Sequence, residues 1–218
     1  MSFNNGFQVF TDRREAGSML AGELTRYAKN PVVLVLGLPR GGVVVAEEVA
    51  KKLKVPLDVL LLRKLPYPPQ PELAMGAVAE DGTRWINEEF EAAARETPGA
   101  FENVVEEQME IIRNRARQYR PHRHPHSMKG KIVLLVDDGI ATGATIKVAV
   151  QVARQAGAEK VVVAVPVAAP SSLREMEAMA DEVVCLSAPL EFYAVGQAYH
   201  SFEQVSDSEV CRILDRNA

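Results

Sequence analysis

The sequence predicts an α/β fold: an open, mostly parallel, twisted sheet with helices on both faces. Three observations point there. Short apolar runs recur at 32–36, 57–62, 132–136, 161–167 and 183–186, each too short for a helix and dense enough for a buried parallel strand. Amphipathic helical stretches separate most of these runs. Two runs also end in small-residue loops, GLPRGG (37–42) and DDGIATGAT (137–145), directly before a helical pattern. Open α/β sheets bind anionic ligands at such places.

Composition sets the outer bounds. The 218 residues suit one large α/β domain, and 47% hydrophobic with 25% charged residues is ordinary for a globular protein. A net charge of −4 and a pI near 5.7 give no support for nucleic-acid binding. Neither a basic-then-apolar leader nor a membrane-length apolar run is visible, so no membrane is expected and the cytoplasm is the default location. Cys185 and Cys211 are read as small core hydrophobes, since two cysteines do not make a disulfide framework.

Taken in order, Thr11 and Asp12 are helix-capping types, with Glu15 three residues after Asp12. Ala16, Met19, Leu20, Leu24 and Tyr27 follow at helical spacing, and Pro31 closes that helix. The strand 32–36 leads into GLPRGG and a helix over 43–53. Here Arg40 is a fixed cation beside Gly41 and Gly42, a combination suited to a diphosphate. The strand 57–62 ends in Arg63 and Lys64, two cations expected to face the ligand crevice. LPYPPQPEL (65–73) holds four prolines and is expected to be an irregular loop. A hairpin follows, 74–80 and 83–86 around Asp81-Gly82.

A helical insertion is expected over about 87–120: one helix from Asn87 to about Glu96, a break at Thr97-Pro98-Gly99, and a second helix to about Tyr119. It reads as a cap over the site or a dimer arm. YRPHRHPH (119–126) carries three of the four histidines. A solvated linker, a loop offering a cation, and a metal site are all open readings of it. Later come a helix over 146–156 stopped by Gly157, a strand whose Pro166 suggests an edge or an end, and a helix capped by Ser171 or Ser172. A short strand, an aromatic tail PLEFYAVGQAYHSF (189–202) and a closing helix over 207–214 complete the chain.

The densest chemistry lies in KIVLLVDDGIATGATIKVAV (131–150). Small residues from Gly139 to Thr145 let backbone N–H groups and a helix N-terminus approach an anion, and Thr142 and Thr145 add hydroxyls. Asp137 and Asp138 would repel a phosphate beside them, so they suit sugar hydroxyls or a divalent ion. One loop thus fits a ribose 5-phosphate. A P-loop would need a Gly-Lys-Ser/Thr ending, and a dinucleotide fold needs G-x-G-x-x-G; residues 37–44 supply neither.

VLLVDDGIATGAT resembles the phosphoribosyl-pyrophosphate loop of the type I phosphoribosyltransferases, and supporting stretches extend the resemblance over most of the chain. RKLPYPPQPELAMGAVAEDG (63–82) is further similar to a bacterial subgroup of that family with no agreed substrate. The resemblance implies that Asp137 and Asp138 bind the ribose hydroxyls and Mg²⁺. It implies that Gly139, Ile140, Ala141, Thr142, Gly143, Ala144 and Thr145 form the phosphate loop. GLPRGG becomes the diphosphate loop, with a non-proline cis peptide at Pro39–Arg40, and the mobile catalytic loop falls between the hairpin and the phosphate loop. The segment from about 187 becomes a hood in which Phe192 and Tyr193 can stack on a base, although packing explains these aromatics equally well.

The activity so implied is transfer of a 5-phosphoribosyl group between phosphoribosyl pyrophosphate and a nucleobase or amine, with Arg40, Lys64 and Asp138 as the catalytic set. A homodimer is expected. Ala141 stands where 6-oxopurine enzymes carry Asp, which argues against hypoxanthine and guanine. The alternative is a non-catalytic sensor of the sugar diphosphate or a nucleotide. The cations Arg40, Arg63 and Lys64 favour the enzyme.

Overall fold

The computed structural model describes residues 8–68, 70–91, 98–121 and 124–217. Among them the strands are β1 (Val33–Gly37), β2 (Leu57–Val59), β3 (Leu62–Tyr67), β4 (Gln70–Ala79), β5 (Arg84–Ile86), β6 (Ile132–Val136), β7 (Lys160–Val167) and β8 (Glu182–Ser187). The helices are α1 (Arg13–Glu23), α2 (Gly41–Leu53), α3 (Pro98–Tyr119), α4 (Ala144–Gln155), α5 (Pro170–Met179) and α6 (Asp207–Arg216).

Five strands form one parallel sheet in the order β2-β1-β6-β7-β8. Their side chains alternate between two cores, as the strand period of two requires. Val33, Val35, Leu134, Val136, Val162 and Ala164 join one core with residues of α1 and α2. Leu34, Leu36, Val133, Leu135, Val161 and Val163 join the other with residues of α4 and α5. Burial on both faces is why these strands read as unbroken apolar runs.

Chain order fixes where a ligand can sit. From β1 the chain crosses through α2 to β2 on one side; from β6 it crosses through α4 to β7 on the other. The carboxyl ends of β1 and β6 therefore flank the point where the winding reverses, the usual crevice of an open α/β sheet. Pro166 lies at the end of β7, beyond the last pairing with β6 at Ala164, and not on an edge strand.

Of the proline-rich stretch, residues 65–67 and 70–73 are strand, contrary to the expected loop, with a turn at Pro68; Pro69 lies outside the described residues. β3 and β4 form an antiparallel hairpin that β5 extends to a separate three-stranded sheet. β3 is an edge strand, and its register shifts on both sides of Pro66, so the missing N–H breaks no regular ladder. In α1 the Asp12 carboxylate accepts from the N–H groups of Arg14 and Glu15, while Glu15 accepts from that of Thr11. Of the apolar residues at helical spacing, Ala16, Leu20, Leu24 and Tyr27 are buried, whereas Met19 is exposed. The cap before α5 is Ala169 with Pro170 in the first turn, not Ser171 or Ser172.

Of the helix expected from Asn87, Glu88–Phe90 form a 3₁₀ turn capped by Asn87 and Glu91 is helical; residues 92–97, and His122 and Arg123, lie outside the described residues. The neighbouring segment is anchored at its start. Arg120 is buried and donates to Asp58 Oδ1 at 2.7 Å and to Glu80, and the His126 N–H donates to Asp58 Oδ2 at 3.0 Å. Glu47, wholly buried in α2, collects Arg14 at 2.8 Å, Lys51 at 2.9 Å and Arg216 at 3.0 Å, tying α1, α2 and α6 together.

Candidate functional site

The two loops singled out in the sequence meet at the crevice. Gly37 of β1 lies beside Val136 of β6, and the Leu38 N–H donates to the Val136 carbonyl at 2.9 Å. The chain then turns through a cis Pro39–Arg40 bond into α2, while the other loop begins at Asp137. Their contact explains the glycine pair. A Cβ on Gly41 would overlap Asp138 Oδ2, sitting 2.7 Å from its Cγ and 2.9 Å from Arg13 Nε. A Cβ on Gly42 would lie 2.8 Å from both Asp137 Cα and the Val136 carbonyl. These glycines, assigned to a diphosphate from the sequence, are first of all what lets the acid pair fit.

The acids differ from each other. Asp137 Oδ1 accepts from the Asp138 N–H at 2.9 Å, and burial, followed by the charge of Asp138, pushes the Asp137 carboxyl well above the usual range. Asp138 Oδ2 instead accepts from Arg13 Nε at 2.8 Å. Its carbonyl accepts from the Tyr199 hydroxyl at 2.5 Å, which fastens the C-terminal hood to the loop.

Beyond the acids the loop is held at its base and open at its tip. The Ile140 N–H donates to the Val167 carbonyl, the Ile140 carbonyl accepts from the Ala169 N–H, and the Ile140 side chain is buried. Ser172 of α5 donates its hydroxyl to the Ala141 carbonyl at 2.6 Å. Gly139 sits under Val195 and Val167. Gly143, at φ 71°, makes the turn into α4, a conformation few other residues adopt without strain. Thr142 and Thr145 remain exposed around a hollow of about 130 Å³ that Asp137 and Gly139 to Ile146 line. Threonine hydroxyls and the first N–H groups of α4 border that hollow, a set of donors with the chemistry an anion needs.

A second hollow of about 60 Å³ adjoins the other loop and includes Pro39, Arg63, Ile111, Arg115 and Thr145 in its walls. Arg40 caps α2 nearby, and the charges of Arg40 and Arg115 both act on the buried Tyr119 phenol. Arg63 and Lys64 part company. Adjacent strand residues point to opposite faces, so Arg63 lines the hollow, with Nε donating to Gln108 at 2.8 Å, whereas Lys64 is exposed away from it. Phe192 is buried in a cluster with Phe10 and Tyr199, while Tyr193 is 79% exposed. Packing thus accounts for Phe192.

Sequence reasoning missed Arg13 and the anchoring role of Tyr199. The only local signal for Arg13 was its place after the cap residue Asp12. For a divalent ion, the donor set here is two carboxylates, one of them already paired. Among the described residues no cluster of three histidine, cysteine or acidic ligands exists. Such an ion fits only if ligand oxygens complete its shell.

Comparisons with known proteins point one way. A family model described as the phosphoribosyl transferase domain matches residues 13–202. A Mycobacterium tuberculosis protein with the provisional name of phosphoribosyl transferase, found in two strains, is 49% identical over 209 residues. The match covers 96% of this chain and 47% of that protein, so the chain spans about half the length of the curated relatives it matches. The crystal structure of a Thermus thermophilus protein is 45% identical with a TM-score of 0.85, covering 97% of this chain and all of that one. No helix among the described residues is long and apolar enough to cross a membrane.

Proposed function

The chain belongs to the phosphoribosyl transferase family, and on that premise we propose that it moves a 5-phosphoribosyl group between phosphoribosyl pyrophosphate and a nitrogenous base or amine, with diphosphate as the other product. The observation that carries the reading is the meeting of the two loops at the sheet's reversal point. It brings a hollow rimmed by hydroxyls and N–H groups, an acid pair and a hollow lined by Arg63 and Arg115 into one crevice.

In this reading Thr142, Gly143, Ala144 and Thr145 hold the 5-phosphate through hydroxyls and backbone N–H groups. Asp138, and Asp137 behind it, take the ribose hydroxyls. Arg40 faces the diphosphate, and Arg63 takes the catalytic part expected of Lys64. The bond from the anomeric carbon to diphosphate oxygen breaks as a bond to the acceptor nitrogen forms, and that nitrogen sheds its proton. Charge grows on the sugar and on the leaving group, so fixed carboxylates and guanidinium groups stabilise the transition state more than the ground state. Mg²⁺ is the cofactor in this proposal: Asp137 and Asp138 would hold it together with oxygens of the sugar diphosphate, and it would supply further charge neutralisation. Tyr193 is the exposed hood aromatic left to meet a heterocycle.

The test is diphosphate release from phosphoribosyl pyrophosphate with Mg²⁺ across a panel of bases and amines. Release with one acceptor is the expected result and names the substrate. Tight binding without turnover over the whole panel would make the protein a binder of the sugar diphosphate instead.

A further inference from the structure

Arg13 has no part in the reaction just described and lines neither hollow of the crevice, yet it is bonded to one of the two acids from the neighbouring hollow beside Val44 and Ser201. Its Nε donates to Asp138 Oδ2 at 2.8 Å and its Nη1 to the Glu203 carbonyl at 2.8 Å. Its guanidinium lies 3.9 Å from the centre of the Phe202 ring. Three contacts from three directions fix a side chain that is only 11% exposed, and its carboxylate partner is 15% exposed. An ion pair on the open surface contributes little and has no such frame. The space is reserved for it as well, because a side chain on Gly41 would collide with both partners.

Two adjacent carboxylates at a strand end, facing an anionic ligand, need a counter-charge. A divalent ion bridging protein and sugar is one way to supply it. Here a guanidinium already does so, and a planar, permanently charged donor suits one carboxylate oxygen while leaving the other free to accept from a hydroxyl.

We propose that Arg13 is a positioning residue that gives the acid pair a resident counter-charge and aims Asp138, so that the ribose hydroxyls dock without a divalent ion. The inference rests on the phosphoribosyl-binding reading of the crevice and makes a metal at the acid pair necessary only where a diphosphate is bound. Ribose 5-phosphate, which has no diphosphate, then binds metal-free.

The experiment is calorimetric titration of ribose 5-phosphate into the wild type, Arg13→Gln and Arg13→Lys, in chelator and in Mg²⁺. Inorganic phosphate serves as a second probe, since it needs only the loop at 142–145. Wild-type affinity for the sugar phosphate should be the same within about twofold with or without Mg²⁺. Losing one charged hydrogen bond should weaken Arg13→Gln about tenfold or more in chelator, with partial recovery in Mg²⁺. Arg13→Lys should fall between, and all three should bind inorganic phosphate alike, which shows that the loop is folded. Wild-type binding that depends on Mg²⁺, or Arg13→Gln binding the sugar phosphate in chelator as the wild type does, overturns the inference while the crevice assignment stands. Failure of the wild type to bind either probe removes that assignment, and the inference with it.

Discussion

Gly41→Ala and Gly42→Ala separate function from fold at neighbouring positions. Both residues open α2, where an alanine backbone is unstrained and gains up to about 1 kcal/mol of helix propensity over glycine. Any loss must come from what the new methyl group meets. At Gly41 it meets the end of a side chain, Asp138, along with Arg13 Nε at 2.9 Å. The carboxylate can swing away, at the cost of its bond to Arg13, about 1.5–3 kcal/mol for a charge-assisted hydrogen bond. Net of the propensity gain, Gly41→Ala should lower stability by only about 1–2 kcal/mol. Ligand affinity should suffer more, because the displaced carboxylate is the one assigned to the ribose: about 10- to 100-fold for a bond of that strength.

At Gly42 the methyl group meets backbone, Asp137 Cα and the Val136 carbonyl, both at 2.8 Å. Backbone in the central strand cannot swing aside, so Gly42→Ala should cost about 3 kcal/mol or more, in the range of severe overpacking. Urea denaturation and ribose 5-phosphate calorimetry on both variants decide the matter. Unimpaired binding by Gly41→Ala, or a Gly42→Ala variant no less stable than Gly41→Ala, would refute the reasoning.

Three further outcomes follow from the same geometry. Asp58→Asn removes one of the two carboxylates on buried Arg120 while Glu80 stays in place, and should lower stability by about 1–3 kcal/mol; a urea midpoint shift worth less than about 0.5 kcal/mol would place this pair with ordinary surface pairs. Glu47 is held below the usual carboxylate range of about 4.5 by Lys51, Arg14 and Arg216, against the opposing effect of its burial. Its stabilisation is therefore full above the unfolded pKa and is lost as pH falls through the lower folded one. Glu47→Gln should flatten the acid limb of a melting-temperature profile, and an unchanged limb would contradict that. Arg40→Ala should weaken inorganic diphosphate more than ribose 5-phosphate; equal weakening in calorimetry would take Arg40 away from the diphosphate.

The fold was legible where burial shows in the sequence. Unbroken apolar runs at β1, β6 and β7 record strands covered on both faces, and the two small-residue loops after β1 and β6 do meet at the sheet's reversal point. Pro66 misled because it lies on an edge strand with a broken register, and Pro71 because it lies ahead of the stretch Gly76–Val78 where β4 gains its second neighbour. Lys64 misled because a strand was thought to end where another begins: β2 stops at Val59, and Arg63 and Lys64 alternate within β3. Arg13 left no local trace. Its partner is 125 residues away, and helical periodicity says only that the start of α1 is polar. Gly41 and Gly42 were legible only as companions of Arg40 suited to a diphosphate; what approaches them is the acid pair, a contact made by the sheet's topology.

The most direct test of the account is calorimetric titration of phosphoribosyl pyrophosphate, with Mg²⁺, into the wild type and into the double variant Asp137→Asn, Asp138→Asn. Asparagine keeps the shape of both side chains, and burial already disfavours the charge on Asp137, so the variant should still melt cooperatively. The account predicts that its binding is abolished. A folded double variant that binds with wild-type affinity would contradict the claim that the acid pair holds the sugar.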